Sequence, residues 1–177
     1  MKISQVIYRT RQFWLAWRAQ SLTDEELAPA FSVLTSEQMQ LFICLQPSEQ
    51  IHALRVLQTV QQQGESDPDL HTAALLHDIG KARAPLRLWE RVVIVMGRSL
   101  FPKRAKIWGR GQCRGWMRPF VIAEQHPTWG GEMAVEVGTT PLAVSLIRRH
   151  QFPGESEPVS PCENHLLKIL QNADHQN

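Results

Sequence analysis

The sequence predicts an all-α fold, and three observations predict it. No run of strand alternation bounded by hairpin turns occurs anywhere in the chain. Helix-start residues recur ahead of apolar residues at helical spacing. The 177 residues are 43% apolar and 20% charged, which suits one globular domain with a real core.

Residues 2–20 read as a helix rich in arginine and aromatic residues, with Phe13, Trp14 and Trp17 as its apolar members. Thr23 with Glu26 three residues later has the form of a capping box and starts the next helix. Ser36-Glu37 starts another, running through Met39, Leu41, Phe42 and Leu45 until Pro47-Ser48 breaks it. Ser48 then reads as the cap of a helix over 49–63, with Ile51, Leu54, Val56, Leu57 and Val60 apolar. Gly64 to Asp69 is a turn. Pro68 or Asp69 opens a helix that ends at His77-Asp78, and Gly80 fits the left-handed residue that often closes a helix. Further helices read at about 85–101, 116–125, 128–137, 140–151 and 162–174.

Composition excludes several classes. The longest strictly apolar stretches, such as Val92 to Met96, run to about five residues, far short of the roughly 20 that span a bilayer. The opening Met1-Lys2-Ile3-Ser4-Gln5 has no signal-peptide pattern. Cys44, Cys113 and Cys162 are odd in number and form no C-x-x-C pair. A reduced, cytoplasmic setting is the expectation.

The most informative residues are His77-Asp78, within Leu75-Leu76-His77-Asp78-Ile79-Gly80-Lys81. Side by side they offer one imidazole nitrogen and one carboxylate oxygen, a mixture that divalent metals accept. Lys81 sets a positive charge just beyond, where an anionic substrate could lie. Other candidate ligands are spread along the chain. His52 stands beside an apolar helix face, His126 precedes Pro127 near an expected helix boundary, and His150 ends the run Val144 to His150. Asp174 is four residues after Leu170 and so shares its helix face. A carboxylate on a partly buried face needs a partner, and a metal is one.

This ordered set resembles the HD-domain superfamily of metal-dependent phosphohydrolases over about residues 48–177. His52 with Arg55-Val56 looks like its first-histidine motif. Leu76-His77-Asp78-Ile79-Gly80-Lys81 looks like the central motif in its HDIG form. His126 with Gly130 or Gly131, and His150, look like the extra histidines of the dinuclear branches, and Ala173-Asp174 with Asn177 like the closing motif. His150-Gln151-Phe152-Pro153-Gly154 departs from the branch that carries paired histidines and Gly-Tyr-Pro and hydrolyses cyclic-di-GMP.

The resemblance implies a helical bundle around a buried metal site. His52, His77, Asp78 and Asp174 would hold one ion, and His126 and His150 a second, with Asp78 bridging. One or two divalent ions are expected, with Fe or Mn favoured and Zn, Co, Ni or Mg as other choices. The chemistry implied is hydrolysis of a phosphoester, of a nucleotide, cyclic nucleotide or related small molecule, by a metal-activated hydroxide, with Asp78 and Lys81 as catalytic residues. Two other functions fit the same residues: a non-catalytic nucleotide-binding or sensor module, and a di-iron oxygenase. Arg55 fits a substrate contact or an ion pair with a core acid. His71, His165 and His175 fall outside the pattern.

The organisation expected is N-terminal helices over 1–47 packed on the same domain, then a core over 48–177 with a basic insert at about 82–120. From Lys81 to Arg118 there are eleven Lys or Arg and one acid, Glu90, whereas the rest of the chain has eight bases and sixteen acids. The net charge of +2 therefore hides a strong separation. The segment also carries Trp89, Trp108 and Trp116, with Gly109, Gly111 and Gly115 read as loosening its middle. It could steer anionic substrates, contact an anionic surface or nucleic acid, or simply pair with the acidic remainder.

Overall fold

The computed structural model describes residues 21–151 and 160–177. The helix read over residues 2–20 lies outside the described residues. All regular structure among the described residues is helical, as the sequence predicted.

Helix α1 (Asp24–Phe31) opens on the expected capping box. The Thr23 hydroxyl accepts from the Glu26 amide, and the Glu26 carboxylate accepts from the Thr23 amide at 2.8 Å. Helix α2 (Ser36–Phe42) has the same device, built from Thr35 and Gln38, and stops short of Leu45. Pro47 does not break a helix but begins α3 (Pro47–Gln62), so Ser48 is inside the helix and is not its cap. The reason is that a first-turn amide has no intrahelical partner, so proline loses nothing there.

Helix α4 (Pro68–Leu76) is capped by the Asp67 carboxylate, which accepts from the amides of Asp69 and Leu70. Leu70, Ala73, Ala74, Leu75 and Leu76 are all fully buried, so the C-terminal half of α4 is enclosed on every side and runs through the middle of the fold. A 3-10 turn, η1 (Ile79–Arg83), follows. Gly80 is not left-handed, since the positive-φ glycines among the described residues are Gly64, Gly115 and Gly138. It is glycine because a Cβ there would lie 2.0 Å from the His126 carbonyl oxygen and 2.7 Å from the Gly130 nitrogen.

The insert forms α5 (Leu88–Leu100), α6 (Pro102–Gly109) and a 3-10 turn, η2 (Gly115–Met117). Helix α6 was not expected. Gly97 and Gly109 are packing points, where a Cβ would meet Phe120 Cε1 at 2.4 Å and Glu124 Cβ at 2.6 Å. Gly109 thus seats the insert and does not loosen it.

The two helices read at 116–125 and 128–137 are one, α7 (Arg118–Glu136), with Pro127 inside it. Proline has no amide to offer the carbonyl four residues back, that of Ala123. Arg98 of α5 supplies the missing donor, its Nη2 lying 3.0 Å from Ala123 O. A tertiary contact therefore completes the helix where the local sequence predicts a break. Helices α8 (Pro141–Arg149) and α9 (Pro161–Gln176) finish the fold.

One apolar core joins α1 and α2, through Leu27, Ala30, Met39 and Phe42, to Leu57 of α3, Leu75 of α4, Ile147 of α8 and Leu170 of α9. Truncating such a leucine to alanine costs about 2–5 kcal/mol. Helix α7 packs against η1, α6 and α8, and so holds the insert against the bundle. No helix among the described residues is long and apolar enough to cross a membrane.

Candidate metal centre

Five helices bring the candidate ligands together. His52 comes from the second turn of α3 and Asp174 from the end of α9. His77 and Asp78 follow α4, His126 is in mid-α7, and His150 directly follows α8. His77 keeps a helical backbone, whereas Asp78 turns to φ −96°, ψ 4°. That break lets two adjacent side chains serve different neighbours.

The six side chains form two groups of three, each able to hold one ion: His52, His77 and Asp174, and Asp78, His126 and His150. Within the first, His52 Nε2 is 2.9 Å and His77 Nε2 is 3.7 Å from Asp174 Oδ1. Within the second, Asp78 Oδ1 lies 3.2 Å from His126 Nε2 and 3.8 Å from His150 Nε2. The other Asp78 oxygen, Oδ2, is 3.5 Å from His77 Nε2. One carboxylate therefore faces both groups.

The tautomers are set by the main chain. Nδ1 of His77, His126 and His150 lies 2.9, 2.9 and 2.8 Å from the carbonyl oxygens of Ala74, Ile122 and Ile147. A carbonyl only accepts, so each Nδ1 carries a hydrogen, and each ring in its neutral form turns an Nε2 lone pair inward. His77 Nε2 is buried with no hydrogen-bond partner among the described residues. His126 Nε2 and His150 Nε2 face each other at 3.3 Å, next to Asp78 Oδ1. Lone pairs gathered this way repel unless a cation lies between them. An imidazole donating to a carbonyl behind it is also the arrangement that orients a metal-binding histidine. The residues present fit a divalent metal.

Charge is distributed unevenly. Burial opposes the charged form of His77, but Asp78 and Asp174 outweigh it and raise the imidazole to about 9. His150 goes the other way. Burial, then the nearby His77 and His126, push it down to about 3, so it stays neutral. Burial favours protonated Asp78, yet Lys81 and His77 hold its carboxyl well below the usual range. Asp174 is also held low, by the His52 hydrogen bond and His77 against the effect of burial.

Lys81 does not extend away from this cluster. Its Nζ donates to Asp78 Oδ2 and, at 3.4 Å, to Glu49 Oε2. Glu49 is buried and also accepts from Arg91 of α5, so a charged chain links the insert to Asp78. Sequence reasoning missed Glu49 and Arg91. Glu49 had a signal, since it stands three residues before His52 and shares its helix face. Arg91 had none. Arg55 is exposed and forms no ion pair with a core acid among the described residues. His71 bonds to the Glu65 carbonyl, and His165 and His175 are exposed, so none of the three joins the centre. Asn177 ties down the last turn of α9, donating at 2.9 Å to both Ala173 O and Thr59 Oγ1 of α3.

No curated protein and no solved structure matches the chain. A family model described as the HD domain matches residues 50–175, most of the chain and all six of the clustered side chains. The chain belongs to the HD domain family, within the metal-dependent phosphohydrolase superfamily.

Proposed function

We propose that this protein hydrolyses a phosphoester of a nucleotide or a related small molecule at a two-metal centre. The observation that carries the reading is the convergence of His126 Nε2, His150 Nε2 and Asp78 Oδ1, with no donor between the two imidazoles. His52, His77 and Asp174 would hold one divalent ion, and Asp78, His126 and His150 the other. Asp78 faces both groups, with Oδ1 toward His126 and His150 and Oδ2 toward His77 and Lys81. Imidazole and carboxylate donors without a thiolate suit Fe or Mn, and also Zn, Co or Ni.

Such ions supply acidified water at neutral pH and offset the charge that develops on phosphoryl oxygens. The protein's own groups do the positioning. The three Nδ1–carbonyl hydrogen bonds fix the rings so that no reorganisation is needed in the reaction. Lys81 keeps Asp78 ionised and immobile, and Glu49 holds Lys81 in place. Lys81 is thus a positioning residue that acts through Asp78. Cys44, Cys113 and Cys162 are free and exposed, and the proposed chemistry needs no cysteine nucleophile.

The test is elemental analysis of protein purified anaerobically without chelators, followed by a phosphoester screen of wild type and Asp78→Ala. Metal-dependent phosphate release that Asp78→Ala abolishes, with circular dichroism unchanged, is the expected result. No bound metal after reconstitution, or turnover retained in Asp78→Ala, overturns the reading. Oxygen consumption without phosphate release would assign the centre to oxygenase chemistry instead.

A further inference from the structure

The outer face of α5 is apolar. Trp89, Val92, Met96 and Leu100 recur at i, i+3, i+7 and i+11 and are all exposed, on a different face from the one that buries Glu90 and Gly97. Phe101, Ile107 and Trp116 continue the exposure along the insert. Seven of the ten exposed large apolar side chains among the described residues therefore fall within 89–116, and this density marks an interaction surface.

The charges of the insert divide into two sets. Lys81, Arg83, Arg91, Arg98 and Arg118 are paired with Asp78, Glu132, Glu49, Glu124 and Glu90. Arg87, Lys103, Arg104, Lys106, Arg110 and Arg114 are exposed and form no ion pair among the described residues. Ion pairing thus accounts for less than half of the bases, and the Arg118 pair is with the segment's own Glu90. A surface that is apolar and cationic at once asks for a partner with an apolar interior and an anionic border.

We propose that the α5–α6 insert docks this protein on an anionic lipid bilayer. Tryptophan and aliphatic side chains would enter the acyl boundary while the bases meet the headgroup phosphates. A second copy of the chain presenting the same face would set like charges against each other. Residues 1–20 hold four bases and no acid, so charge complementarity does not favour them as the occupant. Nucleic acid would satisfy the bases but leave the aliphatic stripe of Val92, Met96 and Leu100 in water. None of the six clustered metal-type side chains lies within 89–116, so the proposal stands independently of the chemistry at the centre.

The experiment is co-sedimentation of the full chain with phosphatidylcholine vesicles with and without phosphatidylglycerol. Binding is expected only to the anionic vesicles. Replacing Lys103, Lys106 and Arg110 together by Gln should weaken it on the order of a hundred-fold, about five-fold per base. Met96→Gln or Leu100→Gln should each weaken it roughly ten-fold with the circular dichroism spectrum unchanged. No binding, equal binding to neutral vesicles, or binding insensitive to the Met96 and Leu100 changes would overturn the proposal. So would a dimer in sedimentation velocity that Met96→Gln abolishes, which would assign the face to a second copy. Displacement from the vesicles by an RNA duplex at equal phosphate concentration would assign it to nucleic acid.

Discussion

Gly80 and His126 are in main-chain contact: a Cβ on Gly80 would lie 2.0 Å from the His126 carbonyl oxygen. The 3-10 turn that follows Asp78 is thereby pressed against the middle of α7, and this contact sets the distance between Asp78 and His126.

Gly80→Ala should therefore disturb stability and the centre together. The obstruction is backbone, which cannot swing aside, so overpacking of about 1–3 kcal/mol or more is expected. For a domain of this size that lowers Tm by roughly 2–4 °C per kcal/mol. Thermal unfolding and metal content check it. An unchanged Tm with full metal content would show that η1 and α7 are not locked by this contact.

Metal stoichiometry should separate the two groups. His150→Ala removes one of three donors from the group containing Asp78 and His126, and His52→Ala one from the group containing His77 and Asp174. Each should lower bound metal by about one ion per chain, as expected where every ligand of a two-metal site is needed. Elemental analysis of the purified variants measures this. Both variants retaining the wild-type content would refute the paired arrangement.

The two oppositely shifted histidines predict how chelator-treated protein responds to pH. His77 is raised from 6.5 to about 9, so its contribution to stability is whole below pH 6.5 and is lost as pH rises through 9. His150 is depressed from 6.5 to about 3, so folding is unimpeded by it above pH 6.5 and is disfavoured as pH falls toward 3. The low-lying Asp78 and Asp174 carboxyls add to the loss on the acid side. Tm should accordingly be highest near pH 6.5 and fall in both directions. Metal must displace the His77 proton, so affinity should increase with pH up to about 9. A Tm that stays level between pH 6.5 and 9 in chelator-treated protein would contradict the assigned His77 shift.

Arg98 and Pro127 should show coupled energetics. Arg98→Ala leaves the Ala123 carbonyl without a donor, at a cost of about 1–3 kcal/mol. With Pro127→Ala the helix amide is restored and the same Arg98 change should cost far less. Denaturant unfolding of the two single variants and the double variant gives the coupling energy. Additive effects would mean that Arg98 does not stand in for the missing amide.

Much of this fold was legible in local signals. Thr23 with Glu26 marks a helix start and Pro68 opens a helix, whereas Pro47, which reads as a breaker, and Pro102, Pro141 and Pro161, which the sequence reading does not use, also stand first in a helix. The His77-Asp78 pair and the order of His52, His126, His150 and Asp174 are written in the chain, and the family match covers them all. Helix class and ligand inventory depend on short-range chemistry, which a sequence displays directly.

The rest depended on groups far apart in sequence. Pro127 is a helix breaker until Arg98, twenty-nine residues earlier, satisfies the carbonyl it abandons. Gly80 has the form of a C-terminal cap, but its role is set by the approach of α7. Asp78 faces His126 and His150 through one oxygen and His77 through the other because the backbone turns at that residue. Glu49 and Arg91 enter the charge chain behind Lys81 only when α3 and α5 meet. The sequence by itself determined the helical class, most of the helix starts and the set of metal-type side chains, whereas α6 and the continuity of α7 across Pro127 were not legible in it. The tertiary structure alone decided which of them stand close enough to hold an ion together, because a burial-driven approach of helices, and no local rule, brings them into two groups of three.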